Sequence, residues 1–264
     1  MFGDILVGGG PRRRWMKFGD EDSVNQSLVD LQEPTRLVPA YLRCAAWGLS
    51  LAARKQKMLV IGLGGGGFVR FLRKRFPRVE IDIIEIDPTA VSLAKAHFKI
   101  RETKHTRIHV TDAVLYLLAQ DDLYDFILLD AYEGARLGPR LADFEFFSLA
   151  QGHLESGGIC VANICEPSAQ REKRTTAAFS RAFHHNSLDV TMPRDRNRIV
   201  VGATSPLPSR AILTHSAQVA DLLGYYPFRL TPFVRNIRSH RPENAVRHNK
   251  TGSNSESEKK MQPR

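Results

Sequence analysis

The stretch Met58 to Arg70, MLVIGLGGGGFVR, joins a short apolar run to a helix-like segment through four consecutive glycines. A buried strand that turns through glycines into a helix is the opening of a nucleotide-binding α/β unit. Gly62, Gly64 and Gly67 fit G-x-G-x-x-G. Glycine permits positive φ and close backbone approach to a ligand, and the helix start offers free N–H groups. Taken alone, the pattern is also that of a tight strand-to-helix turn.

The rest of the chain extends this unit. Strands are expected at Met58–Ile61, Val79–Ile84, Arg107–Val110, Tyr124–Leu129, Ile159–Asn163, Ser187–Met192 and Arg198–Ala203. Helices are expected at Pro34–Arg54, Phe68–Phe76, Pro88–Phe98, Ala113–Ala119, Phe144–Gly152 and Ser168–Phe183. Asp87 and Pro88 have the chemistry of an N-cap and first helical residue. Strands alternating with helices, several of them continuously apolar, imply a parallel sheet covered on both faces. The last two strands are joined by too few residues for a crossover and should pair antiparallel. The expected fold is a Rossmann-like, doubly wound, mostly parallel seven-stranded sheet with an antiparallel final strand. Residues 1–33 read as an N-terminal arm with a short β-hairpin, its first ten residues loose, and 34–238 as the sheet domain. Residues 239–264 are polar, nearly free of large apolar residues, and expected to be disordered.

Bulk properties narrow the class. The chain has 264 residues, 42% hydrophobic and 25% charged, with no apolar run long enough for a membrane span. No secretory signal is legible at the start. Cys44, Cys160 and Cys165 suggest neither a disulfide framework nor a structural zinc site, so a reducing cytoplasm is the expected location. The net charge of +10 is concentrated partly in RRR near the start and in the segment after Phe233. That basic tail reads as a solvated appendage in preference to a nucleic-acid site, because no aromatic residues interleave the charge.

Three carboxylates give the glycine loop chemical meaning. Glu85 closes the second strand, about 20 residues after the loop, where an acidic residue can accept from both hydroxyls of a ribose. Asp112 follows the third strand, either as a helix cap or as an acceptor for an adenine amine. Asp130 follows FILL, where a carboxylate is costly to hold unless it faces a polar cleft. Gly62, Glu85, Asp112 and Asp130 stand at the carboxyl ends of successive strands, the edge on which doubly wound sheets bind ligands.

With these residues in place, Trp15 to Phe147 resembles the spermidine-synthase-like branch of the class I S-adenosylmethionine (AdoMet) transferases. GLGGGG, EID at Glu85–Asp87, TDA at Thr111–Ala113, DAYEG from Asp130, GP at Gly138–Pro139 and FEFF at Phe144–Phe147 carry the resemblance. It implies the class I AdoMet methyltransferase fold. It also implies cofactor contacts at Gly62, Gly64, Gly65, Gly66, Glu85, Asp112 and Ala113, and a catalytic carboxylate at Asp130. Acceptor contacts would come from Gln26, Tyr41, Tyr132 and Glu133. The family's loop aspartate is replaced by Gly65, its glutamine after the helix tyrosine by Leu42, and a proline of its next motif by Gly134.

The missing loop aspartate suggests room for a donor that keeps its own carboxylate. Methyl transfer from AdoMet to a small nucleophile is therefore the favoured expectation. The alternatives are aminopropyl transfer from decarboxylated AdoMet, nicotinamide chemistry, and a non-catalytic nucleotide-binding module. A homodimer is compatible with all of them, and no membrane partner is expected.

Overall fold

The computed structural model describes residues 4–19, 27–133, 136–192 and 197–239. The expectations for the tail and for Gln26 lie outside these residues. The chain opens with a three-stranded antiparallel sheet of β1 (Ile5–Gly9), β2 (Arg13–Phe18) and β3 (Ser27–Asp30). The arm is thus larger than the expected hairpin, and part of its supposedly loose start is a strand. Pairing of Ile5 with Phe18 and Val7 with Met16 supplies the order that the composition did not suggest.

The arm is fastened to the main body by α2 (Gly67–Arg75). Buried Arg70 donates from Nη1 to the Asp30 carbonyl and from Nη2 to the Leu31 carbonyl, both at 3.0 Å. The rigid, planar arginine fork closes two strand-end carbonyls at once. Arg70→Leu should therefore release the arm. Trypsin cleavage at Arg12–Arg14 is expected to accelerate by about tenfold, as follows from losing roughly 1–2 kcal/mol of hydrogen bonding. An unchanged digestion rate would show that the arm is held without this fork, by packing and by its other hydrogen bonds, from Arg14 to the His97 carbonyl and from the Gly65 N–H to Ser27.

After α1 (Ala40–Ser50) come β4 (Lys57–Ile61), α2, β5 (Glu80–Glu85), α3 (Pro88–His97), β6 (Thr106–Val110), α4 (Ala113–Leu118) and β7 (Tyr124–Leu129). A small hairpin of β8 (Tyr132–Glu133) and β9 (Arg136–Leu137) precedes a 3₁₀ turn at Pro139–Leu141. Then follow α5 (Phe144–Gly152), β10 (Leu154–Ile164), α6 (Ala169–Ala182), β11 (Ser187–Thr191), β12 (Arg198–Ala203), α7 (Arg210–Leu222), α8 (Thr231–Val234) and β13 (Ile237–Ser239).

The main sheet has eight strands in the order β13-β11-β12-β10-β7-β4-β5-β6. Strands β4 to β7 and β10 are parallel, and β12 runs antiparallel to both β10 and β11. The expected reversed strand exists, but it lies inside the sheet. The extra edge strand β13 brings the count from seven to eight, and α7 and α8 were also not anticipated.

Alternation along each strand divides the core in two. Met58 and Val60 of β4 face one layer with Trp47, Phe71 and Phe98, while Leu59 and Ile61 face the other with Phe147, Phe179 and Phe183. Gly48 lets α1 lie directly on the sheet, because a side chain there would come within 2.6 Å of Val161. This close seating carries the start of α1, with Tyr41, to the carboxyl edge of the strands. No helix among the described residues is long and apolar enough to cross a membrane.

Candidate active site

At that edge, the ladder runs one residue past the strands before the loops begin. The Gly62 N–H donates to the Ile84 carbonyl at 2.8 Å, and the Asp130 N–H donates to Ile61 at 2.8 Å. Gly62 then turns with φ of 95°, Gly64 with 48° and Gly66 with 65°. The chain re-enters a helix at Gly67, with Gly66 as a left-handed N-cap. Gly62 and Gly64 take the positive φ read for the motif glycines, whereas the third, Gly67, opens the helix without one.

Glu85 ends β5 with its carboxylate beneath this loop. Oε2 accepts from the Leu63 N–H at 2.9 Å, and Oε1 accepts from the Asp87 N–H at 3.1 Å. Burial raises its pKa, and the backbone donors offset part of that rise. Each oxygen keeps a lone pair, so the group can still accept from a vicinal diol.

Asp112 caps α4: Oδ1 accepts from the Val114 and Leu115 N–H groups at 2.8 and 3.1 Å. Oδ2 meets exposed Arg140 at 3.0 Å. The cap reading is thus realised, and the oxygen shared with Arg140 remains the one open to an amino group. Ala113 is buried as the first residue of α4. Asp87 caps α3 through the Thr89 N–H, as expected from sequence.

Asp130 is the centre of the constellation. Tyr41 donates its phenol to Oδ2 at 3.2 Å, and Asn163 on β10 donates from Nδ2 to Oδ1 at 2.8 Å. Burial pushes the carboxyl up to about 6, while the two donors hold it down. A carboxylate so placed is ionised at neutral pH yet poised to take a proton. Tyr41 is itself raised well above the ordinary phenol value, by burial and then by the Asp130 charge. The cleft between Asp130, Tyr41, Gly62, Leu63 and the arm residues Ser27 and Leu28 is continuous.

The remaining expected residues fare differently. Tyr132 is partly buried, and its hydroxyl donates to the Asn163 carbonyl at 2.6 Å, tying the β8–β9 hairpin to β10. Glu133 pairs with Arg136 through the backbone of that hairpin. Sequence reasoning missed Ser27, whose Oγ accepts from the Gly65 N–H at 2.9 Å, and Asn163. A polar residue inside the apolar run ICVANI was the available signal for the second.

Gly65 overturns an expectation. A Cβ built on it would lie 2.9 Å from the Phe98 ring and 3.2 Å from Ser27 Cβ. The space that a loop aspartate would leave is filled by this chain's own side chains, so the absent carboxylate opens no berth for another one.

The eight-stranded sheet, with its glycine loop and strand-end carboxylates, defines a Rossmann-like transferase of the class I AdoMet type. Residues 44–190, more than half of the chain, match the spermine/spermidine synthase domain, and the chain belongs to that family. It is 28% identical over 224 residues to a polyamine aminopropyltransferase of Vibrio vulnificus, covering 83% of this chain and 74% of that protein. It spans 37% and 53% of the length of two further curated relatives.

Among solved structures, a probable spermidine synthase from Corynebacterium glutamicum superposes with a TM-score of 0.69 at 22% identity, over 88% of each chain. Human methyltransferase-like protein 13 superposes with a TM-score of 0.61 at 20% identity, over 79% of this chain and 97% of that one. Proteins named as a probable spermidine synthase and as a methyltransferase-like protein therefore share this fold, and the family match is to the spermine/spermidine synthase domain. The expectation of methyl transfer is corrected: the matched domain and the Vibrio relative are of the aminopropyltransferase kind, and the Gly65 argument that favoured methyl transfer fails on the packing of Phe98.

Proposed function

We propose that this protein is a polyamine aminopropyltransferase that joins an aminopropyl group from decarboxylated AdoMet to the amine of a small diamine. The observation that carries the reading is Asp130: a deep carboxylate at the strand edge, held by Tyr41 and Asn163, with a proton affinity near neutrality.

The donor's sulfonium supplies an activated methylene carbon and a neutral thioether leaving group. Glu85 would hold the ribose hydroxyls, while Gly62 and Gly64 let the backbone approach the nucleoside. Asp112 and Ala113 would bound the adenine, and Gly65 and Gly66 would complete the floor. Asp130 orients the attacking amine and accepts the proton released as the N–C bond forms and the C–S pair returns to sulfur. Tyr41 and Tyr132, with Gln26 and Glu133, would line the acceptor side.

Incubation with decarboxylated AdoMet and putrescine should release methylthioadenosine in proportion to spermidine, both read by mass spectrometry. Absence of both products at millimolar substrate would remove the reading for this acceptor. Glu85→Ala should weaken nucleoside binding by roughly 10–100-fold, as expected for losing hydrogen bonds to a charged acceptor. Calorimetry with methylthioadenosine checks this, and unchanged affinity would take Glu85 out of the site.

A further inference from the structure

The two hydrogen bonds on Asp130 come from α1 and from the neighbouring strand β10, and the one from Asn163 has a second residue behind it. Asn163 is 2% exposed. A buried amide is tolerated when both its ends are matched. Its Nδ2 faces Asp130, and its Oδ1 accepts from Asn197 Nδ2 at 2.8 Å. An ionised carboxylate only accepts, so Asn163 must present its NH₂ group to Asp130. Its carbonyl oxygen then requires a donor, and Asn197 provides one. Asn197 reaches this edge because β12 is reversed: its beginning lies where the parallel strands end.

We propose that Asn163 and Asn197 are positioning residues, a two-amide relay that fixes the Asp130 carboxylate in orientation and in its proton-accepting form. The inference deepens the proposed function and rests on Asp130 being its base. Among the described residues, the titratable groups that face Asp130 are Tyr41 from α1 and Tyr132 from β8. Cys165 and Glu166 stand behind Tyr132, and Arg171 of α6 pairs with Glu166 at 3.2 Å. None of these supplies a cation against Asp130. The amide dipoles and the Tyr41 phenol therefore oppose the effect of burial on the carboxyl.

The test uses Asn163→Leu and Asn197→Ala in the full chain. The Asp130 carboxyl is titrated by ¹³C NMR, alongside the pH profile of kcat/KM for methylthioadenosine release. Asn163→Leu should move the Asp130 titration up by about one pH unit, which by ionisation alone is about a fivefold loss at pH 6 and twofold at pH 7. Asn197→Ala should move it the same way by about half a unit. Asn197 is half-exposed and does not touch Asp130, so its variant retains the fold, checked by its melting temperature. A merely structural role for Asn197 predicts no movement of the titration, and that result would overturn the relay. If the wild-type protein releases no methylthioadenosine, the functional reading fails while the NMR titration still decides the relay.

Discussion

Asp130→Asn should reduce methylthioadenosine release by roughly 10²–10⁴-fold, the range for losing a positioned general base. The same substitution should make the folded protein more stable at neutral pH. The carboxyl titrates at about 6 in the fold, against about 4 for an ordinary aspartate. Between those values the folded protein holds a proton that the unfolded chain has released, so stability falls as pH rises through the window. Above it, the ionised group costs on the order of 3 kcal/mol.

Asparagine removes that cost and keeps both contacts. Its carbonyl can accept from Asn163, and its amide can donate to the Tyr41 oxygen, which accepts as readily as it donates. The melting temperature of the variant should therefore exceed the wild type at pH 7.5 and converge with it near pH 4. Retention of more than a tenth of the wild-type rate would remove Asp130 from the role of base. A lower melting temperature at pH 7.5 would contradict the burial account.

Gly62→Ala should be strongly destabilising. Gly62 sits at φ of 95°, and a Cβ there would come within 2.2 Å of the Asp130 carbonyl oxygen. The residue cannot retreat, because its N–H is held by Ile84 at 2.8 Å. Left-handed strain and the backbone clash together should cost about 3 kcal/mol or more. The relief available, separating β4 from β7, also displaces Asp130.

Gly152→Ala provides the contrast. It lies in α5 at an ordinary φ, with nothing within 4 Å of an added Cβ. Alanine there should be neutral or stabilise by about 0.5 kcal/mol. Denaturant midpoints for the pair check the prediction, and equal midpoints would mean that the glycine loop yields easily.

The parts of this fold that were legible in the sequence are those where one residue type answers one backbone demand. The glycine loop, the Asp87–Pro88 helix start and the apolar strands β4, β5 and β7 follow from φ restrictions and burial. Their succession then places Glu85, Asp112 and Asp130 on one edge. What stayed hidden depended on partners distant in sequence. Asn163 was not singled out, because the partner that matches its buried amide, Asn197 at the start of β12, lies 34 residues away. The stripe of α7 was obscured because Ile212, Val219, Leu222 and Leu223 remain exposed. Gly65 misled for a related reason: a missing side chain says nothing about which neighbour fills its place, and Phe98 lies on another helix end.

The reversed course of β12 also bears on how the protein comes off the ribosome. The glycine loop, Glu85 and Asp130 are all synthesised within the first half of the chain, and Tyr41 precedes them. A nascent chain can therefore build the nucleoside floor early. The amide that orients Asp130 is fixed only after Asn197 emerges, 34 residues beyond Asn163. Tyr41 waits as well, because the helix that carries it seats through Gly48 on Val161 of β10 and Val201 of β12. The surroundings of Asp130 are thus the last part of this edge that synthesis can set in place.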